Sequence, residues 1–152
     1  MYKILFVCHG NICRSPMAEF LMKDLVTKLG VADDFEIASA ATSREEIGNP
    51  VHRGTRNKLA EYGISVTGKH AVQMTRQDYE YYDYIIVMDS NNIFNIKRII
   101  CSDDKNKVSL LLDYTDRKGQ SIADPWYTGD FDLTYKDIKY GLDGLIKYLL
   151  HK

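Results

Sequence analysis

Short runs of apolar residues alternate with amphipathic segments along the whole chain, and this alternation constrains the fold more than any other feature. Apolar runs predict strands at residues 4–7, 35–40, 84–88 and 108–112. Helical spacing of apolar residues predicts helices at 17–29, 55–62, 76–82, 91–99 and 133–150. Strands that alternate with helices form parallel sheets. We therefore predict a three-layer α/β fold, flavodoxin-like or Rossmann-like, with helices on both faces of a four-stranded parallel sheet.

Composition and charge narrow the class of protein. The 152 residues suit a single domain over residues 1–152, and 45% of them are apolar. No apolar run approaches the ~20 residues of a membrane span, so we expect none. The net charge of −1, from 20 basic and 21 acidic residues, argues against nucleic acid as a partner. The three cysteines, Cys8, Cys13 and Cys101, form no even disulfide framework and predict a cytoplasmic location.

The loop between the first predicted strand and the first predicted helix has the composition of an anion site. Ser15 and Pro16 fit an N-cap followed by proline at the first helical position. Gly10 and Asn11 permit the left-handed backbone of a tight loop. Such a loop can direct N–H groups to one point, where the helix adds partial positive charge and Arg14 adds a planar fork. The predicted nest for a tetrahedral oxyanion comprises His9, Gly10, Asn11, Ile12, Cys13, Arg14 and Ser15.

Cys8 lies at the floor of this predicted nest, at the end of the first strand. The positive field of a helix N-terminus beside an arginine favours the thiolate, which is the nucleophilic form of cysteine. Arg14 and the loop amides would supply the electrophilic stabilisation of a phosphoryl group. We therefore expect phosphoryl chemistry on Cys8 without a metal or a cofactor.

This loop and four further segments resemble the low-molecular-weight protein tyrosine phosphatase family. VCHGNICRSP at 7–16 is similar to the family's phosphate loop, and ADPWYTGDF at 123–131 resembles its acid loop. SAATS at 39–43 and IGNP at 47–50 resemble the loop after the second strand, and DYIIVMD at 83–89 resembles the third strand. The resemblance covers most of the chain. It implies hydrolysis of phosphotyrosine and aryl phosphate monoesters, phosphotyrosine-containing proteins as partners, and phosphate and other tetrahedral oxyanions as inhibitors.

The resemblance implies catalytic roles at matching positions. Cys8 would be the nucleophile that becomes a cysteinyl phosphate, and Arg14 would clamp the phosphate. Ser15 would hydrogen-bond the sulfur and help it leave. Attack on a monoester produces a poor leaving group, and Asp124 would protonate it as general acid, which is worth ~10²–10⁴-fold. In the second step the ionised Asp124 would deprotonate the attacking water.

Supporting roles follow from the same resemblance. Asn11, Ser39 and His70 match a network that holds the phosphate loop in shape. Cys13 matches a cysteine that forms a protective disulfide with Cys8 on oxidation.

The predicted rim of the pocket departs from the family's pattern at one position. Many members carry an aromatic residue two positions after the SAATS segment, where this chain has Glu45. An acid at this place removes a stacking surface and repels acidic phosphopeptides, so we expect a more open rim and an altered peptide preference. Trp126 and Tyr127 would place aromatic walls beside the site.

Three other functions compete with a phosphatase. An arsenate reductase shares this fold and loop but relays a disulfide through further cysteines, and only Cys13 and the distant Cys101 could serve. A non-catalytic phosphoprotein-binding module would be expected to lose the nucleophile or the acid, and the chain has both. A dithiol redox protein usually has C-x-x-C, whereas four residues separate Cys8 from Cys13. The phosphatase is therefore the prediction.

Overall fold

The computed structural model describes residues 1–151 and contains the predicted four-stranded parallel sheet. The strand order is β2-β1-β3-β4, and each neighbouring pair is parallel. The chain runs from β1 to β2 on one side and then crosses to β3 on the other, so the end of β1 lies at a topological switch point, where such sheets bind ligands. The α/β prediction is confirmed. The strands are β1 Tyr2–Cys8, β2 Phe35–Ala41, β3 Tyr84–Val87 and β4 Val108–Leu110.

Helices cover both faces of the sheet in the part of the chain that the structure describes. They are α1 Arg14–Lys28, α2 Arg53–Ala60, α3 Arg76–Tyr81, α4 Ser90–Ile100, α5 Pro125–Thr128 and α6 Phe131–Leu150. Helices α1 and α6 pack together over one face, and α3 and α4 lie over the other. No helix within residues 1–151 is long and apolar enough to cross a bilayer.

The core explains why the central strands are apolar throughout. Successive residues of β1 point to opposite faces. Ile4 and Phe6 therefore join the cluster under α1 and α6, whereas Leu5 and Val7 join the cluster under α4. All four side chains are buried, and burying each one stabilises the fold by about 1.5–3 kcal/mol.

Two elements begin or end at other residues than predicted because side chains form hydrogen bonds with the backbone there. The last strand ends at Leu110 because Asp113 accepts a hydrogen bond from the Leu110 amide and a short 3₁₀ turn, Leu111–Tyr114, follows. Helix α6 begins at Phe131 because the Asp130 carboxylate caps its first turn.

Two glycines of α6 allow this helix to approach the Leu111–Tyr114 turn closely. A Cβ atom at residue 144 would lie 2.3 Å from the carbonyl oxygen of Tyr114, and one at residue 141 would lie 2.5 Å from Cγ of Leu111. Glycine costs a helix interior about 1 kcal/mol relative to alanine. The close packing against the turn is the physical reason for glycine at both positions.

Gly144→Ala tests this packing. We expect the substitution to lower the free energy of unfolding by about 1–3 kcal/mol because the methyl group forces the helix away from backbone atoms, despite alanine's better helix propensity. Urea denaturation measures the change. Lys136→Ala, on the exposed side of the same helix, is the matched control and should change stability by less than about 0.5 kcal/mol. A Gly144→Ala protein as stable as the wild type would contradict the geometry.

Candidate active site

The loop that follows β1 curls around the sulfur of Cys8. The Cys8 side chain is buried, with a 3% exposed fraction. The amide of Asn11 donates a hydrogen bond to the sulfur over 3.3 Å, and the hydroxyl of Ser15 lies 3.1 Å from it. The Asn11 amide donates to the sulfur, and the Ser15 hydroxyl lies where it can do the same.

Asn11 holds the loop in a conformation that few residues adopt. Its φ of +59° lies in the left-handed region, where asparagine is among the tolerated residues. Its side-chain amide donates to the hydroxyls of Ser15 and Ser39, at 2.8 and 2.9 Å, and its carbonyl oxygen accepts from the Val72 amide. The buried side chain thus joins three segments of the chain and keeps the loop turned toward the sulfur.

The prediction that Ser15 caps the first helix is wrong. Helix α1 begins at Arg14, and the cap residue is Cys13, whose side chain makes no capping hydrogen bond. Pro16 is consequently the third helical residue, where proline is still tolerated because first-turn amides lack helical partners. The Ser15 hydroxyl bonds with Cys8 and Asn11 instead. The first-turn N–H groups receive no side-chain hydrogen bond from Cys13, the N-cap residue.

Arg14 is a buried cation held from three sides. Its guanidinium is 2% exposed and donates to Asp89 over 2.7 Å, to the carbonyl of Ile122 over 2.9 Å and to Asp124 over 3.3 Å. Burial opposes its charge, but the negative charges of Cys8, Asp89 and Asp124 outweigh burial and raise the pKa of Arg14 above its ordinary value. The cation is therefore permanent and fixed in orientation.

The carboxylate of Asp124 faces the same pocket. One oxygen accepts a hydrogen bond from the Trp126 amide over 3.0 Å, which makes Asp124 the N-cap of α5, and the other lies against Arg14. Pro125 occupies the first position of that short helix. The sequence prediction described this segment as a loop, and the structure places a helical turn there, which fixes the direction of the acid.

A pocket of about 120 Å³ brings the predicted site residues together. Its floor and walls include Cys8, Arg14 and Asp124, and its mouth includes His9, Glu45, Trp126 and Tyr127. The ring of His9 lies within hydrogen-bond distance of Glu45, and Tyr127 is 83% exposed. Glu46 also lines the mouth, where Asn49 holds its carboxylate. Sequence reasoning did not single out Glu46, because nothing but its place beside Glu45 distinguishes it.

The network behind the phosphate loop differs from the predicted one. The hydroxyl of Ser39 accepts from Asn11 and donates to a carboxylate oxygen of Glu19 over 2.6 Å. The ammonium group of Lys69 donates to the carbonyl of Ser39 over 2.9 Å and lies 3.4 Å from the same oxygen of Glu19. Glu19 is buried, so this ion pair is largely shielded from solvent. Neither Glu19 nor Lys69 carried a local sequence signal.

His70 does not take the predicted place in this network. Its side chain is exposed, and Nδ1 lies 3.2 Å from the carbonyl oxygen of Gly68. His70 forms an antiparallel bridge with Pro50, and side chains alternate in direction along such an extended segment. Only one of the neighbours Lys69 and His70 can therefore point toward Ser39, and it is Lys69.

Cys13 lies beside Cys8 in the wall of the pocket and is buried. Burial, followed by the charges of Cys8 and Asp124, raises the pKa of Cys13 to about 12. Its sulfur is thus a neutral thiol at physiological pH. The disulfide between Cys8 and Cys13 stays a prediction. Within residues 1–151, no cluster of three or more His, Cys, Asp or Glu could hold a metal ion.

Lys69→Met tests the corrected network. The variant removes the cation from Ser39 and leaves the buried Glu19 paired only with Lys23, 2.6 Å from its other oxygen. A misplaced loop costs catalysis, so we expect kcat on p-nitrophenyl phosphate to fall by roughly 10- to 100-fold. His70→Ala is the matched neighbour and should leave kcat unchanged. Lys69→Arg should recover part of the loss. Equal losses in Lys69→Met and His70→Ala would restore His70 to the network, and circular dichroism checks that each variant is folded.

Comparison with known proteins places this geometry in a family. Residues 3–152 match the model described as "Low molecular weight phosphotyrosine protein phosphatase". The Bacillus subtilis low molecular weight protein-tyrosine-phosphatase YfkJ is 41% identical over 147 residues, 96% of this chain and 94% of that protein. The rat low molecular weight phosphotyrosine protein phosphatase is 42% identical over 138 residues, 88% of this chain and 86% of that protein.

Solved structures agree with the sequence matches. The crystal structure of YfkJ has a TM-score of 0.94 with 39% identity and covers 99% of this chain and 96% of its own. The crystal structure of a Drosophila arginine phosphatase has a TM-score of 0.88 with 28% identity, and the match covers 97% of both chains. The fold is therefore shared by proteins named for two different phosphorylated residues.

Proposed function

Because the chain belongs to the low molecular weight phosphotyrosine protein phosphatase family and is a hydrolase of phosphoric monoesters, we propose that it dephosphorylates phosphotyrosine through a cysteinyl-phosphate intermediate. The observation that carries the proposal is the convergence of Cys8, Arg14 and Asp124 on one small pocket with aromatic side chains at its mouth. Phosphotyrosine-containing proteins are the proposed partners, and phosphate and other tetrahedral oxyanions the proposed competitive inhibitors. The cytoplasmic location stays a prediction.

Arg14 has the right number of donors left for a phosphate group. A guanidinium has five N–H groups. Two on one nitrogen are engaged by Asp89 and Ile122, and one on the second nitrogen points to Asp124. The two that remain, one on Nη2 and one on Nε, form the pair that binds two phosphate oxygens in a bidentate manner. We expect the amides of the loop to add donors to the third oxygen.

In the first half-reaction, the sulfur of Cys8 attacks phosphorus and the bond from phosphorus to the tyrosine oxygen breaks. Asp124 gives its proton to that oxygen, so tyrosine leaves as a neutral phenol. In the second half-reaction, the ionised Asp124 takes a proton from water, the water oxygen attacks phosphorus, and the bond from sulfur to phosphorus breaks. The hydroxyl of Ser15, 3.1 Å from the sulfur, stabilises the departing thiolate.

Substitutions of the nucleophile and the acid test this mechanism with p-nitrophenyl phosphate and an added chelator. Cys8→Ser should abolish turnover, and Asp124→Asn should lower kcat by about 10²–10⁴-fold. Cys101→Ser, at the exposed third cysteine, is the control and should retain full activity. Turnover that survives in Cys8→Ser would exclude a cysteinyl phosphate. Arsenate-dependent thiol oxidation without phosphatase activity would favour the reductase.

A second candidate substrate is phosphoarginine. Two carboxylates, Glu45 and Glu46, line the mouth of the pocket, and carboxylates match the guanidinium group of arginine. Two solved structures with this fold are named arginine phosphatases. Initial rates on peptides of identical sequence, one with phosphotyrosine and one with phosphoarginine, decide between them. We expect the phosphotyrosine peptide to be the faster substrate because Trp126 and Tyr127 offer aromatic surface at the mouth, and the opposite ranking would overturn the proposal.

The charge of the rim predicts a preference among phosphotyrosine peptides. Glu45 is exposed, so its interaction with a flanking charge is worth only a fraction of a kcal/mol, and we expect peptides with flanking lysines to exceed those with flanking glutamates by about two- to fivefold in kcat/KM. Glu45→Gln should reduce this ratio, as should high salt. Glu45→Tyr should additionally raise kcat/KM for both peptides through stacking. An unchanged ratio in both variants would contradict the role of Glu45.

A further inference from the structure

A second cavity, of about 470 Å³, lies between α2 and the segment at residues 63–70. None of its lining residues lines the catalytic pocket. Its volume falls within the range of small-molecule sites, about 300–1,000 Å³. Val51, Ile64 and Val66 are apolar residues of its lining, and Arg56, Lys69 and His70 are its basic residues.

The ionisable residues that line this cavity are all basic. No aspartate or glutamate lines it, whereas Arg56, Lys69 and one histidine do. Among residues 1–151, no hydrogen bond or ion pair engages the exposed side chain of Arg56, so its five donors are unused. The ammonium of Lys69 has three donors, and its contacts to Ser39 and Glu19 use two of them. The cavity thus offers unused donors beside apolar walls.

We propose that this cavity binds a small organic anion, a carboxylate on a flat apolar body, and that its occupancy lowers turnover at Cys8. The apolar body would pack against Val51, Ile64 and Val66. The carboxylate would pair with Arg56 and with the third N–H of Lys69. The site needs no phosphate group, so it is chemically distinct from the catalytic pocket, and the proposal does not depend on whether the substrate is phosphotyrosine.

The connection to Cys8 runs through Lys69. Its ammonium group holds the carbonyl of Ser39 and the carboxylate of Glu19. Ser39 and Glu19 are hydrogen-bonded to each other, and Ser39 accepts from the side chain of Asn11. A carboxylate that pairs with the third N–H of Lys69 attracts the ammonium group toward the cavity and away from these oxygens. This displacement of the ammonium weakens the contacts that hold Asn11 and hence the loop around the sulfur. The ligand would then bind more tightly when the loop is loosened than when it is held, and this difference in affinity is what couples the two sites.

Binding is tested on the full chain with 2-naphthoate as the probe and the uncharged 2-naphthamide as its matched analogue. In ¹H–¹⁵N spectra, 2-naphthoate should give saturable shifts at the amides of residues 63–70. Arg56→Ala should weaken binding at least fivefold, and 2-naphthamide should bind the wild type at least fivefold more weakly than the carboxylate. Arg53→Ala, which removes an exposed arginine from the same helix outside the cavity, should bind like the wild type. Equal affinity for both probes, or for Arg56→Ala and wild type, would overturn the site.

Kinetics test the connection. Saturating 2-naphthoate should lower kcat for p-nitrophenyl phosphate at least twofold with KM unchanged, and Arg56→Ala, whose activity without the probe should equal the wild type's, should be insensitive. Competitive inhibition with shifts at residues 8–15 would mean that the probe enters the catalytic pocket and would overturn the proposal. Binding at residues 63–70 with unchanged kcat would overturn the coupling. These outcomes are distinct from a failure of the phosphatase mechanism, which Cys8→Ser reports.

Discussion

The site depends on one buried cation. Placing the guanidinium of Arg14 out of water costs several kcal/mol unless its donors are met, and here two carboxylates and a carbonyl meet them. These acceptors come from the start of α4, from the segment before α5 and from the α5 cap. Arg14 itself begins α1. A single ionic cluster therefore holds together the segments that follow β1, β3 and β4 at the carboxyl edge of the sheet. The nucleophile and the acid take their relative positions from this cluster.

A second layer of polar contacts supports the loop from behind. Asn11 is held in a left-handed conformation by hydrogen bonds to three segments, and the Glu19–Lys69 pair supports Ser39 in turn. Buried polar networks of this kind specify one arrangement because any unpaired member is costly. The rim is built differently. Glu45, Trp126 and Tyr127 are exposed and lie outside this buried network, so they can set substrate preference without disturbing the floor of the pocket.

Residues close together in the chain were predictable, and residues that meet only in space were less so. Cys8, Asn11 and Arg14 share one short loop, so the strand-loop-helix pattern was enough to bring them together. The sequence did not show which role the Ser15 hydroxyl takes. Ser15 fits an N-cap by residue type, yet its hydroxyl bonds with Cys8 and Asn11 in the folded chain. Composition cannot decide between two partners for one hydroxyl, because the choice depends on which partner the fold brings nearer.

The sequence by itself determined the class of fold, through alternating apolar runs and helices, and the chemistry of the loop, through a thiol, an arginine and turn-forming residues in one contiguous segment. These are local properties, and local patterns carry them. Only the tertiary structure decided that Lys69 rather than its neighbour His70 faces Ser39, that Asp89 and Ile122 hold Arg14, and that glycines in α6 meet a backbone turn. The reason is geometric: one residue of register reverses the direction of an extended side chain, and contacts between distant segments exist only once the sheet has aligned them.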